Sequence, residues 1–262
     1  VVTNSQTDKN CMNCHNFCNR SPQKMVMHMR AVHGCTLVLD NGKVEKLNTK
    51  TPQTISALVY PQWHPSGRFI AFSVNDTGQA FHSCDDNRIE VYDMDSDVVV
   101  YDTETHEIIS CPLLMDTLRC ETFPTFSPDG TTLYFCSAQR LHIPEEFDDA
   151  RYDIFSVSFD AESRTFGSRI DTVFCASELG HSASFPRISP AGRRLLFTFS
   201  DYGNFSIWHK AADLWMTDLQ DGHTAALDAV NSDDVDSYHS WSGNSRWIVV
   251  SSRRGDGLYT RP

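Results

Sequence analysis

The chain has 262 residues, 40% of them hydrophobic, so it is long enough to bury a substantial core as one large domain or two small ones. Its 22 Lys and Arg against 34 Asp and Glu give a formal net charge of −12, which disfavours binding to phosphate backbones and anionic lipid surfaces. No stretch reaches the roughly 18 consecutive apolar residues of a membrane-spanning helix. The sequence therefore predicts neither a nucleic-acid partner nor a membrane-spanning segment in this chain.

Residues 11–17 read CMNCHNF and place two thiols and an imidazole within five positions. Cys-x-x-Cys-His is the attachment pattern of c-type haem, in which the two thiols bond to the porphyrin and the imidazole binds the iron. The pattern predicts haem c as the cofactor, with Cys11 and Cys14 as thioether anchors and His15 as the proximal ligand.

The segment KMVMHMR (24–30) is predicted to be a strand, which would place Met25, Met27 and Met29 on one face and Val26, His28 and Arg30 on the other. We expect His28 to be the distal ligand, because methionines at every second position are typical of core filling. The alternatives are His33, Met25 and Met29. A second interpretation makes 22–33 a short helix that begins after Ser21.

Zinc is the main alternative to haem. Cys11, Cys14, His28 and His33 have the spacing Cys-x2-Cys-x13-His-x4-His, which falls within the range for a tetrahedral Cys2His2 site. The acidic charge of the chain disfavours a nucleic-acid-binding finger. A disulfide between Cys11 and Cys14, or simple burial of these cysteines, is the structural alternative.

A repeat runs through the chain. Each copy is a tight turn followed by a short run of β-branched, aromatic and aliphatic residues, as in a hairpin that leads into a strand. The copies are SPQKMVMHMR (21–30), HPSGRFIAFSV (64–74), SPDGTTLYFCS (127–137), SPAGRRLLFTF (189–199) and SGNSRWIVVSS (242–252). Repeated four-stranded units predict an all-β fold, a β-propeller of about five or six blades. We expect a haem-attachment segment at 1–20 and propeller repeats over 21–262.

The segments FPTFSPDGTTLYFCSA and FPRISPAGRRLLFTFS, followed by ADLWMTDLQDG, resemble the repeat of TolB-like (WD40-like) propeller proteins over nearly the whole chain. The first copy departs from the pattern, with Lys24 where glycine usually supplies a positive φ. The resemblance implies a periplasmic or cell-envelope location in a bacterium and no catalysis by the propeller. Residues 11–36 also resemble haem-attachment segments of envelope propellers in Bacteroidetes-like bacteria, in which a His-x-Arg strand follows the Cys-x-x-Cys-His motif.

Nine cysteines are many for a cytosolic protein of this size, which agrees with an extracytoplasmic location. The chain starts without Met and ends soon after a strand-like run, so we expect a fragment of a longer precursor. The segment DMDSD (93–97) lacks the glycine and the closing glutamate of a calcium loop, and we expect a solvated acidic edge there.

The sequence thus predicts a c-type cytochrome-like β-propeller that transfers electrons in the cell envelope, rather than an enzyme. Its partners would be other envelope or redox proteins. The alternative is a non-catalytic propeller scaffold for protein–protein interaction, in which the Cys/His cluster binds zinc or forms a disulfide.

Overall fold

The computed structural model describes residues 11–30, 34–49, 51–52, 54–83 and 87–262 of the chain, without the side chains of Cys11 and Asn13. Eighteen strands and five short 3-10 turns form the described part. No helix in these ranges is long and apolar enough to cross a membrane.

The strands form five antiparallel sheets, numbered here in chain order. Sheet 1 contains β1 (Cys11–Phe17), β2 (Lys24–Arg30), β3 (Cys35–Asp40) and β4 (Lys43–Leu47). Sheet 2 contains β5 (Leu58–Trp63), β6 (Phe69–Phe81), β7 (Ile89–Asp102) and β8 (Glu107–Ile109). Sheet 3 contains β9 (Arg119–Phe126), β10 (Thr132–Gln139), β11 (Asp153–Asp160) and β12 (Thr165–Phe174). Sheet 4 contains β13 (Ser182–Ile188), β14 (Arg194–Ser200), β15 (Asp213–Asp218) and β16 (Thr224–Ala226), and sheet 5 contains β17 (Asp236–Trp241) and β18 (Ile248–Ser252).

The first strand of each sheet is the innermost one. The first strands of successive sheets contact each other from β1 through β5, β9 and β13 to β17. The fourth strands lie at the exposed edge of their sheets; β4, for example, is exposed at four of its five positions. Sheets of four strands arranged in this way around an axis form a β-propeller. The predicted all-β propeller is confirmed, and the described residues form five sheets, within the five or six blades expected.

Each innermost strand contains a β-bulge at the same position. The bulge includes one non-glycine residue with positive φ, and these residues are Cys14 (φ 48), Tyr60 (φ 50), Phe123 (φ 51), Phe185 (φ 53) and Tyr238 (φ 43). The four aromatic rings follow one another around the axis, with ring centroids 4.6 Å (Tyr60–Phe123), 4.2 Å (Phe123–Phe185) and 5.1 Å (Phe185–Tyr238) apart. Five equivalent side chains thus surround the axis, and Cys14 takes the place of an aromatic residue in this circle.

The repeated turn joins the first and second strands of each sheet. In sheet 3 the N–H of Gly130 donates to the carbonyl oxygen of Ser127 (2.9 Å), and Gly130 has the positive φ (79) that the turn requires. In sheet 1 the equivalent bond runs from the N–H of Ser21 to the carbonyl oxygen of Cys18 (2.8 Å). This turn thus begins three residues before the Ser21 at which the sequence repeat was aligned. Positive φ falls on Asn19 and Arg20, while Lys24 lies in extended β2.

Apolar side chains fill the spaces between neighbouring sheets. One cluster joins sheets 1 and 2 around Val26, Leu58 and Phe72, and a second joins sheets 2 and 3 around Ala71 and Phe135. A third joins sheets 3 and 4 and includes six fully or almost fully buried residues: Cys136, Ile154, Ala183, Phe185, Leu195 and Phe197. Sheets 1 to 4 thus pack against one another through these three clusters, as neighbouring units do in other repeat architectures.

The hairpin of β6 and β7 is longer than the other hairpins and reaches sheet 4. Glu90 on this hairpin accepts hydrogen bonds from the Tyr202 hydroxyl (Oη to Oε1, 2.7 Å) and pairs with His209 (Nε2 to Oε2, 2.8 Å). Glu90 and His209 are both buried. The hairpin therefore connects sheet 2 directly to a sheet that is not its neighbour.

Asp93, predicted to belong to a solvated acidic edge, lies inside this contact. It is 7% exposed and accepts hydrogen bonds from the side-chain amides of Asn75 (2.7 Å) and Asn204. Burial raises the pKa of Asp93 to about 7. The prediction of a solvated edge is wrong for Asp93, because the extended hairpin carries it against the loop of sheet 4 that contains Asn204.

Candidate functional site

The Cys-x-x-Cys-His motif lies within β1, the innermost strand of sheet 1. The segment predicted to lead into the first blade thus includes a strand of that blade. Cys14 sits at the bulge and is half-buried. Its thiol is close enough to Tyr60 and Tyr238 to contribute, after burial, to the raised pKa of both hydroxyls. Cys14 therefore faces the axis between these two tyrosines.

His15 occupies a repeat position that is buried in every other sheet. The equivalent residue follows the positive-φ residue in each inner strand: Pro61, Pro124, Pro186 and His239. These four are buried, whereas His15 is exposed. Its ring packs edge-on against Phe17 with centroids 6.0 Å apart, and it makes no hydrogen bond with the described residues. Its imidazole nitrogens are therefore available to a ligand.

The face of sheet 1 that carries His15 is apolar and rich in sulfur. The strand register places Met12 opposite Met29, Phe17 opposite Met25, Met27 opposite Leu37 and Met25 opposite Leu39. We call this surface the methionine face; its members are Met12, His15, Phe17, Met25, Met27, Met29, Cys35, Leu37, Leu39 and Val44, with the charged Lys46 opposite Leu37 on its outer strand. All of them are partly or fully exposed, with Phe17 at 42% and Val44 at 64%.

His28 lies on the other face of the same sheet. It is 8% exposed, and its Nδ1 is 3.2 Å from the Thr36 hydroxyl oxygen. Burial, with a smaller contribution from Arg30, lowers its pKa. His28 opposes Asn13 across the β1–β2 pair, while His15 shares its face with Phe17, so the structure does not bring His15 and His28 together. His33 lies outside the described residues.

The predicted strand at 24–30 is confirmed, and the helical alternative for 22–33 is wrong. The predicted alternation is also correct. However, the expectation that the methionines fill the core is wrong, because Val26 (0% exposed) and His28 are the buried residues of β2. They pack toward sheet 2, whereas no sheet of the described residues packs on the side that carries the methionines.

Within the described ranges, no three His, Cys, Asp or Glu side chains converge where they could hold a metal ion. Two of the four predicted zinc ligands, Cys11 and His33, are not covered by that statement. The other two, Cys14 and His28, lie respectively at the axial bulge and on the buried face of β2.

The residues present are compatible with a haem on the methionine face. A haem c needs an imidazole nitrogen without another partner next to the anchoring thiols, and an apolar wall that shields the macrocycle. His15 supplies the imidazole and the methionine face supplies the apolar wall, whereas the Cys14 thiol, which faces the axis, would have to turn toward that face to bond to haem. Haem, when bound, would supply one-electron redox chemistry.

The position of the motif in the repeat follows from the turn that the structure shows. The four residues before the turn are YPQW, FPTF, FPRI and YHSW in sheets 2 to 5, and they are CHNF before the turn at Cys18 in sheet 1. Cys14 and His15 thus replace an aromatic residue and a proline or histidine. The conformation of the motif is that of the repeat, and only its side chains differ.

Comparisons with known proteins show the fold. No family model and no curated protein matches the chain. Among solved structures, an oligogalacturonate lyase from Vibrio parahaemolyticus has a TM-score of 0.54 at 10% identity, covering 95% of this chain and 64% of the lyase. Prolyl oligopeptidase B from Galerina marginata has a TM-score of 0.53 at 11% identity, covering 94% and 33%. The β-propeller domain of Cps50 (Swd1) from Myceliophthora thermophila has a TM-score of 0.51 at 12% identity, covering 92% and 62%.

This chain spans less than two thirds of each of these three proteins. At these identities the likeness concerns architecture alone, since propellers support many unrelated functions. The chain is therefore placed among β-propeller proteins by its fold.

Proposed function

We propose that this chain is a haem-bearing β-propeller in which Cys11 and Cys14 anchor haem c and His15 is the proximal ligand. The observation that carries the proposal is the exposure of His15 on the methionine face, beside Cys14, at a position that is buried in every other sheet. An apolar surface that ends in a free imidazole suits a planar apolar cofactor.

The geometry favours a methionine over His28 as the distal ligand. Met25 and Met29 share the face of His15, whereas His28 is directed toward sheet 2 and bonded to Thr36. A second axial ligand leaves no open position on the iron, which suits electron transfer better than chemistry on a small molecule. The function is then electron transfer with a redox partner in the cell envelope, which agrees with the chain's nine cysteines.

The alternative is a non-catalytic scaffold in which the methionine face is covered by protein. In sheets 2 to 4 the second-strand residues equivalent to Met27, which are Phe72, Phe135 and Phe197, are buried against the preceding sheet. A sheet from a partner protein could cover the methionine face in the same way. In that case Cys11 and Cys14 would bind zinc or form a disulfide.

Absorption spectroscopy distinguishes the two functions. The wild-type chain and the variants C14S and C175S are produced in cells with an active cytochrome c maturation system. Cys175 is a half-buried thiol after β12 and serves as the matched control. We expect a Soret band that survives denaturation and acid-acetone extraction in the wild type and in C175S, but not in C14S. A wild-type protein with no covalent chromophore would contradict the haem proposal and leave the scaffold.

The distal ligand is tested in the same system. We expect a low-spin spectrum for the wild type and for H28Q, and loss of that spectrum in M25L or in M29L. A change confined to H28Q would instead identify His28 as the ligand, and it would require the β1–β2 pair to rearrange when haem is attached.

A further inference from the structure

The axis of the propeller opens into a cavity of about 560 Å³ on the side of the repeated turns. The innermost strands of all five sheets contribute to its lining. The circle of axial aromatic side chains, which includes Phe123 and Phe185, lies two residues earlier along these strands. The cavity therefore lies on the turn side of these packed aromatic side chains.

A circle of polar side chains lines this cavity. The residue two positions after each positive-φ residue of the inner strands faces into it, and the five residues are Asn16, Gln62, Thr125, Arg187 and Ser240. Asn16 and Gln62 bond to each other (Nδ2 to Oε1, 3.3 Å). The equivalent positions of five different sheets thus offer hydrogen-bonding groups to a common space.

The charge of the lining is opposite to that of the chain. Arg20 and Arg187 contribute to the lining, and no Asp or Glu does so among the described residues. The whole chain carries 34 acidic and 22 basic residues, so a lining with two cations and no acid is not what its average composition would give. The cavity is a positively charged site in an acidic protein.

Arg187 is the main cation of the site. It is half-buried, and its guanidinium donates to the carbonyl oxygen of Pro186 (Nη1 to O, 2.9 Å). Within the described ranges it makes no ion pair and no second hydrogen bond, which leaves most of its five N–H donors unused. Burial lowers its pKa to about 10, so it remains cationic at neutral pH.

The backbone of Arg187 is held in place. The indole N–H of Trp241 donates to the Arg187 carbonyl oxygen (3.0 Å), which ties β13 to β17 beside the cavity. Trp63 and Phe126, both 7% exposed, contribute apolar walls. A fixed guanidinium among neutral hydrogen-bonding groups and apolar walls is the usual construction of a site for a small anion.

We propose that this axial cavity binds a small molecule through a carboxylate or phosphate group, with the Arg187 guanidinium as the anchor. The planar fork of arginine matches two oxygens of such a group, and Gln62 and Ser240 lie on the same lining to accept or donate further hydrogen bonds. The site is independent of haem attachment and goes beyond the proposed function.

Calorimetric titration with inorganic phosphate and with citrate tests the site and distinguishes the two kinds of oxyanion. The proteins are the wild type, R187Q and R246Q. Arg246 lies on the exposed turn of sheet 5 and gives a control with the same change of charge. We expect R187Q to bind the preferred probe at least roughly tenfold more weakly than R246Q, because a hydrogen-bonded ion pair is lost.

A second variant keeps the test informative if R187Q does not fold. Ser240 is exposed and lines the cavity, so S240D places a carboxylate there without disturbing the core. We expect S240D to abolish binding of both probes while its far-UV circular dichroism matches the wild type. The proposal is overturned if the wild type binds neither probe at millimolar concentration, or if R187Q and S240D bind as tightly as R246Q.

Discussion

His15 and His239 occupy the same position of the repeat in sheets 1 and 5, yet their surroundings differ. His239 is 4% exposed, and its Nε2 lies 3.1 Å from the Leu196 carbonyl oxygen in sheet 4. Burial, and then the charge of Arg187, lowers the pKa of His239 to about 3. His15 is exposed, because no described sheet packs against its face. The repeat determines the backbone, and the preceding sheet determines whether the side chain is a core residue or an available ligand.

The same contrast extends over the second strands. Met25 lies opposite Phe17, and Leu195 lies opposite Ile188, so Met25 and Leu195 are equivalent. Leu195 is fully buried, whereas Met25 is partly exposed. The methionine face is therefore the same structural surface that is a packed interface in sheet 4, but no described sheet covers it.

The test with the largest expected effect is truncation of the side chains at the equivalent positions Leu195 and Met25. We expect L195A to lower the free energy of unfolding by about 2–5 kcal/mol, because it leaves a cavity in a packed core. M25A should lower the free energy of unfolding by about 1 kcal/mol or less, since truncating a partly exposed side chain removes less buried apolar surface. Urea denaturation of the two purified variants measures both values. Equal losses would show that the methionine face is covered in solution.

The second test uses pH. The unfolded chain takes up a proton on His239 below about pH 6.5, whereas the folded chain does so only near pH 3, so this residue lowers stability as the pH falls between these values. The loss can reach about 1.4 kcal/mol per pH unit. H239Q keeps a donor for Leu196 and removes the titration. We therefore expect its stability, relative to wild type, to improve from pH 6.5 to pH 4.

Because other groups titrate in the same range, only the difference between wild type and H239Q is informative. Asp93, for example, has a raised pKa, so it lowers stability as the pH rises toward 7. Parallel stability curves for wild type and H239Q would show that His239 is solvated, and would contradict the contrast with His15.

The smallest test uses thiol reactivity. Cys35 lies half-exposed on the methionine face, whereas Cys136 is fully buried between sheets 3 and 4, and burial raises its pKa. We expect iodoacetamide followed by peptide mass spectrometry to label Cys35 in the native protein and Cys136 only after unfolding. Protection of both thiols would show that protein covers the methionine face.

Much of the fold was predictable, because each copy of the turn-and-strand repeat indicates a β-hairpin. The alternation of Met25, Val26, Met27 and His28 was predictable too, since it follows from strand geometry alone. In the sequence alignment the repeat of sheet 1 begins at Ser21, three residues after the turn that the structure shows at Cys18. Its turn contains one residue more than the others, and the Ser-Pro pair at 21–22 resembles the start of the other copies.

The buried side of sheet 1 was not predictable from its own residues. Methionine at every second position resembles a core face, and the choice between the two faces depends on which side the next sheet covers. The burial of Asp93 could not be predicted either, since its partner Asn204 is 111 residues away in sequence. The haem, the zinc alternative and the envelope location remain predictions, and the absorption experiment tests the haem.

The long hairpin of β6 and β7 also bears on how the molecule comes apart. In a ring held only by contacts between neighbours, disruption that starts at one sheet can spread to the next one at a time. The bonds from Glu90 to Tyr202 and His209 join the second sheet to the fourth across the third. Sheets 2 to 4 should consequently open as one cooperative unit, and native-state hydrogen exchange should place the weaker boundaries of the protein on either side of this unit, at sheet 1 and at sheet 5.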